Sequence, residues 1–214
     1  MKILNPLQYK NMFDYISLSS MEIEEQLINF KLEFYKTRNK VAEWQLKIPP
    51  FITAFYTYVW KQNKIPKQHE LWHWYVALNN EYFIVHDYAD EIIKGLQARV
   101  YRTYPSLVRD IHFITYIKEH LHDACVVYNT NLDIEDGIDI LIIYREKLFA
   151  VNLFVNTQRS LHGRMLKQSR HAKYENVITI DFPVSFTGSK EIGNFFLYGE
   201  KEYEALIEMM NKTK

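Results

Sequence analysis

Gly137-Ile138-Asp139-Ile140-Leu141-Ile142-Ile143-Tyr144, then Arg145-Glu146-Lys147, then Leu148-Phe149-Ala150-Val151-Asn152-Leu153-Phe154-Val155 is the stretch on which the fold turns. The first run is too apolar for a sheet edge and too β-branched for a helix, so it predicts a central strand. Gly137 suits a turn that needs positive φ, and the polar Arg145-Glu146-Lys147 predicts a reversal into a second strand, giving a hairpin. Asp139 is out of keeping with its neighbours. A carboxylate inside an apolar strand is costly unless it is paired, hydrogen-bonded or bound to a metal, so a partner is expected. Asn152 lies thirteen residues on (152 − 139) and in hairpin register would come to the same end of the sheet.

Working outward, Tyr104-Pro105-Ser106 sets an extended residue before proline and a hydroxyl N-cap after it. A helix is predicted from Ser106, with Leu107, Ile111, Ile114, Ile117 and Leu121 at helical spacing. Cys125-Val126-Val127-Tyr128 predicts a short strand with Cys125 as a core residue, and Asp133-Ile134-Glu135-Asp136-Gly137 an acidic turn. From Ser160 the period becomes helical again, with Leu161, Met165 and Ala172 on one side and Arg164, Lys167 and His171 on the other. Val177-Ile178-Thr179-Ile180 predicts a further strand closed by Asp181-Phe182-Pro183. The order is therefore α-β-β-β-α-β.

Charge is divided unevenly. The 214-residue chain is neutral overall, yet residues 159–173 hold five Lys/Arg, two His and no carboxylate. Lys94, Arg99, Arg102 and Arg109 likewise precede Asp110 without a carboxylate among residues 94–109. Two cationic segments flanking a sheet are the electrostatic footprint of a phosphate partner, although a solvated helix face carries the same pattern.

The α-β-β-β-α-β order, the Gly137–Ile143 strand and the next strand ending near a polar turn resemble the core of the PD-(D/E)XK nucleases, over Ser106 to Asp181. The resemblance implies a restriction-endonuclease-like mixed sheet and Mg²⁺-assisted phosphodiester hydrolysis. It places Asp139 at the first metal-binding position. The second carboxylate of the family falls on Asn152 and the lysine two residues further falls on Phe154, so both positions depart from the pattern. Family members that take the lysine from the following helix nominate Lys167, and Glu119 or Asp110 on the first helix would supply another carboxylate. Asp139, Asn152, Lys167 and Glu119 are the catalytic candidates, with Asp139 and Asn152 on the metal. Arg159, Arg164, Arg170, His171 and Arg102 are the candidates for holding a nucleic-acid backbone, DNA before RNA. A catalytically silent DNA-binding core, of the kind a mobile element or defence system would carry, is the alternative.

A second motif lies upstream. His69-Glu70-Leu71-Trp72-His73 reads H-E-x-x-H, which on a helix would aim two imidazoles at one Zn²⁺ with Glu70 as general base, resembling zinc metalloproteases. Glu81, His86, Asp87 and Glu91 are the candidate third ligands. The plain reading is a packed helix after Pro66, with Leu71, Trp72, Tyr75 and Leu78 as its apolar stripe and the histidines at its polar edge.

The rest of the amino-terminal half reads as helical. Ser19-Ser20-Met21-Glu22 supplies a capping box, and Ile23, Leu27, Phe30 and Phe34 predict an amphipathic helix that ends before Lys47-Ile48-Pro49-Pro50. Phe51 to Trp60 and Tyr82 to Ile93 predict two more elements. Short helices joined by tight turns permit a helix-turn-helix or winged-helix-like arrangement, and equally a plain bundle. The expected organisation is α+β: a helical region at 1–95 and a nuclease-like domain at 96–214, packed together and open to homodimer or larger assembly. A hydrophobic content of 48% with 15% aromatics suffices for a full core. Cys125 is alone and so forms no internal disulfide; with no signal peptide or long apolar run, the expectation is a cytoplasmic protein with no membrane partner. Six glycines and no Gly-rich phosphate loop exclude a nucleotide-binding fingerprint.

Overall fold

A computed structural model describes residues 2–35, 38–155 and 174–213. The predicted basic helix, with Arg159, Arg164, Lys167, Arg170 and His171, lies outside the described residues. The fold is α+β with a mixed four-stranded sheet. Contacts divide the chain into two units. One comprises residues 1–20, 110–191 and 196–214, and the other residues 21–109 and 192–195. The division runs through a helix at Arg109–Asp110, not near residue 95, and gives the first twenty residues to the sheet-bearing unit.

In the sheet-bearing unit, β1 (Ala124–Val127), β2 (Ile140–Tyr144), β3 (Lys147–Val155) and β4 (Ile178–Val184) lie in the order β1-β2-β3-β4. The first three are antiparallel and β4 runs parallel to β3. Strand β2 is interior, as its unbroken apolar run predicted. The β2–β3 reversal uses Arg145 and Glu146 at φ of 49° and 62°. A right-twisted two-residue hairpin demands such values, normally of Asn or Gly.

Each sheet face has its own cover. On one, Ile140, Ile142, Phe149, Val151, Ile180 and Phe182 are buried. Phe113, from the long helix α5 described below, stacks on Phe182 at 6.2 Å and meets Tyr198 edge-on at 5.1 Å. On the other, Val127, Leu141 and Ala150 pack with Leu4, Leu132 and Ile138, and Tyr9, Leu148, Tyr174 and Val177 close the margin. Tyr9 and Tyr174 both donate to Asp136, at 3.2 and 2.7 Å, tying the amino-terminal segment to the acidic turn. Burial and the bond to Asp136 push the Tyr174 hydroxyl pKa up.

Strand β4 does not close at Asp181 but continues to Val184, because Ile180, Phe182 and Val184 are buried in alternation while Thr179, Asp181 and Pro183 are exposed. Pro183 is tolerated because β4 is a sheet edge, where a missing N–H need not break the ladder. Cys125 is exposed rather than in the core, since β1 is the opposite edge and buries only Val126 and Val127.

The other unit is built from α1 (Ser20–Leu27, of which Ser20 itself counts with the sheet), α2 (Phe51–Gln62), α3 (Gln68–Leu78), α4 (Asn80–His86) and the first part of α5 (Asp90–His120). Its core is aromatic: Tyr75 meets Phe51 at 5.0 Å and Phe83 at 5.7 Å, and Phe55 meets Tyr104 at 6.4 Å. The helix predicted to run on past Phe30 and Phe34 and end before Lys47 stops at Leu27. Beyond it the chain leaves the helix, and the side chain of Gln68 grips the backbone of Glu33, accepting from its N–H at 2.7 Å and donating to its carbonyl at 3.1 Å.

Helix α5 also differs from expectation. It begins at Asp90 and passes through Pro105 without a break. Proline removes the N–H that would bond to the Tyr101 carbonyl, and the Gln68 amide donates to that carbonyl instead at 3.0 Å. A buried replacement donor thus removes the reason for a helix boundary at residue 105. After the sheet, β5 (Lys190–Ile192) and β6 (Phe195–Leu197) form a two-stranded pair, and α6 (Glu200–Lys212) ends the chain against β4. Among the described residues no helix is long and apolar enough to cross a membrane.

Candidate functional site

Three polar residues lie where the β2–β3 ladder ends. Ile140 pairs with Val151, Asp139 directly precedes Ile140, and Asn152 directly follows Val151 and pairs with Asp181 on β4. Asn152 and Asp181 share the face of Ala150 and Thr179, which alternation keeps apart from the face under Phe113. Asp139, immediately before β2, is half-buried. Its Oδ2 accepts from the backbone N–H of Leu153 at 2.6 Å, taking the place of a strand carbonyl. That bond is the partner its cost demanded.

Asn152 donates from Nδ2 to Asp181 Oδ1 at 3.1 Å. A carboxylate can only accept, so the amide nitrogen must face Asp181 and the carbonyl oxygen must turn away. That oxygen, Asn152 Oδ1, is buried with no hydrogen-bond partner among the described residues. Buried acceptors are nearly always satisfied, and an unsatisfied one is a place for a cation or a water. A carboxylate and an amide carbonyl are hard oxygen donors of the kind Mg²⁺ and Ca²⁺ accept, with water completing the shell. The donor set therefore fits a hard divalent ion, although among the described residues no three of His, Cys, Asp and Glu gather to hold one. Phe154, where the nuclease pattern has lysine, is half-buried in β3.

The remaining candidates sit elsewhere. Both oxygens of Glu119 are engaged by Ser20, from the N–H at 2.8 Å and the hydroxyl at 2.5 Å. Arg102 pairs with Glu43 and donates to the Tyr35 carbonyl at 3.3 Å. Its neighbour Arg99 donates to the Ala42 carbonyl at 2.8 Å and lies over the Phe51 ring, and Arg109 is buried. Most of the 94–109 cations are therefore spent on internal contacts.

His69 and His73 are exposed on α3 with rings 6.4 Å apart. Glu70 acts at the helix start: it accepts from the Lys67 N–H at 2.8 Å and from Lys64 Nζ at 3.4 Å. Burial opposes ionisation of Glu70, but these donors together hold its carboxyl below the usual range. His86 lies against Tyr82 and Tyr88, at 4.2 and 5.2 Å between ring centres.

Asp181 was missed by the sequence reading. Its signal was the alternation Ile180, Phe182, Val184, which places the intervening aspartate on the polar face. Comparison of the chain with protein-family models, curated proteins and solved structures finds no match.

Proposed function

We propose that this is a nucleic-acid-binding protein with a nuclease-like core that hydrolyses phosphodiesters with a divalent cation. The carrying observation is the end of the β2–β3 ladder, where Asp139, the residue before Ile140, accepts from the Leu153 N–H next to Asn152. The antiparallel β1-β2-β3 followed by a parallel β4 supports the restriction-endonuclease-like reading, since it is the sheet that an α-β-β-β-α-β order builds. A bound Mg²⁺ would supply Lewis-acid stabilisation of phosphate charge. Asp139 would hold it through a carboxylate oriented by Leu153, and Asn152 would offer its carbonyl oxygen. Lys167, outside the described residues, is the proposed group to orient water, and the arginines of 159–170 are proposed to hold the backbone.

The test is cleavage of single- and double-stranded DNA and RNA with Mg²⁺ or Mn²⁺. The wild type should cut at least one substrate, and Asp139→Ala should lose the activity while remaining folded. Inactivity of the wild type on all of them contradicts the proposal.

A second reading, a catalytically silent nucleic-acid binder, is favoured by Phe154, which leaves β3 without a lysine. It predicts binding that falls steeply with salt, weakens in the Arg164→Ala, Lys167→Ala double variant, and is indifferent to Asp139→Ala.

A further inference from the structure

The charge that β3 lacks stands one strand away. We infer that Asp181 is the positioning residue of this site: it holds the Asn152 carboxamide with its oxygen presented to a divalent cation at Asp139, and polarises that amide so that its oxygen is a stronger donor. The inference rests on the proposed cation-dependent function and adds to it a residue from β4.

Three observations carry it. Asn152 and Asp181 are register partners, so their side chains leave the sheet side by side. The Nδ2 to Oδ1 bond of 3.1 Å fixes which end of the amide faces which way. The opposite end, Oδ1, is buried and without a partner among the described residues, as expected of a ligand atom whose ligand is not a protein group. An amide alone binds Mg²⁺ or Mn²⁺ weakly because it brings no charge. An amide donating to a carboxylate is polarised, and its oxygen becomes a better donor. Outer partners that orient a ligand in this way typically contribute ten- to a hundredfold in metal affinity.

The experiment is calorimetric titration of the full-length protein with Mn²⁺, independent of any nucleic-acid substrate. Wild type should bind one equivalent and Asp139→Ala none. Asp181→Ala should weaken binding about tenfold or more. Asp181→Asn, which keeps an acceptor for Asn152 Nδ2 but loses the charge, should fall between the two. Since Asp181 acts through the amide, Asp181→Ala should weaken binding less than about twofold in an Asn152→Ala background, the non-additivity expected of coupled residues. A general loss of structure would not produce that non-additivity.

If wild type binds, Asp139→Ala does not, and Asp181→Ala binds like wild type, the role of Asp181 is overturned while the cation reading stands. Additive effects of Asp181→Ala and Asn152→Ala overturn it equally. No Mn²⁺ binding by the wild type removes both.

Discussion

The side-chain amide of Gln68 donates to the carbonyl oxygen of Tyr101, the acceptor that the ring of Pro105 deprives of its helical donor. Gln68 is 4% exposed and also clamps both backbone groups of Glu33. Gln68→Leu should therefore destabilise the protein by about 1–3 kcal/mol, the cost of leaving buried polar groups unmet. Chemical denaturation measures this. Pro105→Ala, which restores a backbone donor, should soften the effect of Gln68→Leu. Equal losses in both backgrounds would show that the Tyr101 carbonyl is not the group that matters.

Gly95 is fixed by close approach. A Cβ there would lie 2.6 Å from Asn39 Cβ and 3.0 Å from Ala42 Cβ. Alanine normally stabilises a helix interior by up to about 1 kcal/mol over glycine. Gly95→Ala should instead lower stability by roughly 1–3 kcal/mol, because the contacting atoms sit next to the backbone and cannot swing aside. A raised melting temperature would contradict the contact.

The reversal at Arg145–Glu146 runs the other way. Both residues occupy the left-handed region, at φ of 49° and 62°, which costs an L-residue roughly 1–2 kcal/mol. Glu146→Gly should stabilise the hairpin by about 0.5–1 kcal/mol, less than the full strain because glycine also frees the unfolded chain. Arg145 should be kept, since its guanidinium lies 4.8 Å from the Tyr144 ring and donates to Asn211. Thermal unfolding of Glu146→Gly with an unchanged or lower midpoint would refute the strain argument.

Stability should fall at alkaline pH. Burial, with the hydroxyl–hydroxyl bond to Tyr88 next, pushes the Tyr82 pKa up to about 12. Tyr9 and Tyr174 are raised by burial and, less strongly, by their contacts with Asp136. A group with a raised folded pKa keeps its proton more tightly in the native state. Its contribution is complete below the ordinary tyrosine value near 10 and is lost as pH rises toward the folded value. Denaturation midpoints should be flat from neutrality to about pH 10 and decline above it. Tyr174→Phe should flatten part of that decline; an identical alkaline limb would exclude the Asp136 cluster as a cause.

How much was legible follows from where the signals were local. The hairpin was readable because an apolar β-branched run, a polar turn and a second apolar run specify pairing among themselves, and at the end of their ladder Asp139 meets the Leu153 N–H next to Asn152. Helix ends were less readable. Pro105 marks a boundary only if nothing serves Tyr101, and the residue that serves it, Gln68, lies thirty-three positions upstream of that tyrosine (101 − 68). Helix α1 ends at Leu27 although Phe30 and Phe34 continue its period, and Gln68 grips the backbone beyond it at Glu33. Asp181 was hidden because a strand edge at a proline looks like a strand end. The cationic pattern of 94–109 was real, but sequence does not say that Arg102 meets Glu43 or that Arg99 meets the Ala42 carbonyl.

The central claim is that Asp139 and the unsatisfied oxygen of Asn152 together receive a divalent cation. Anomalous diffraction from crystals soaked in Mn²⁺ tests it most directly. The account predicts a peak within about 2–2.5 Å of an Asp139 carboxylate oxygen and of Asn152 Oδ1, absent from crystals of Asp139→Ala. A fully occupied Mn²⁺ site elsewhere on the chain, with none at these two residues, would contradict it.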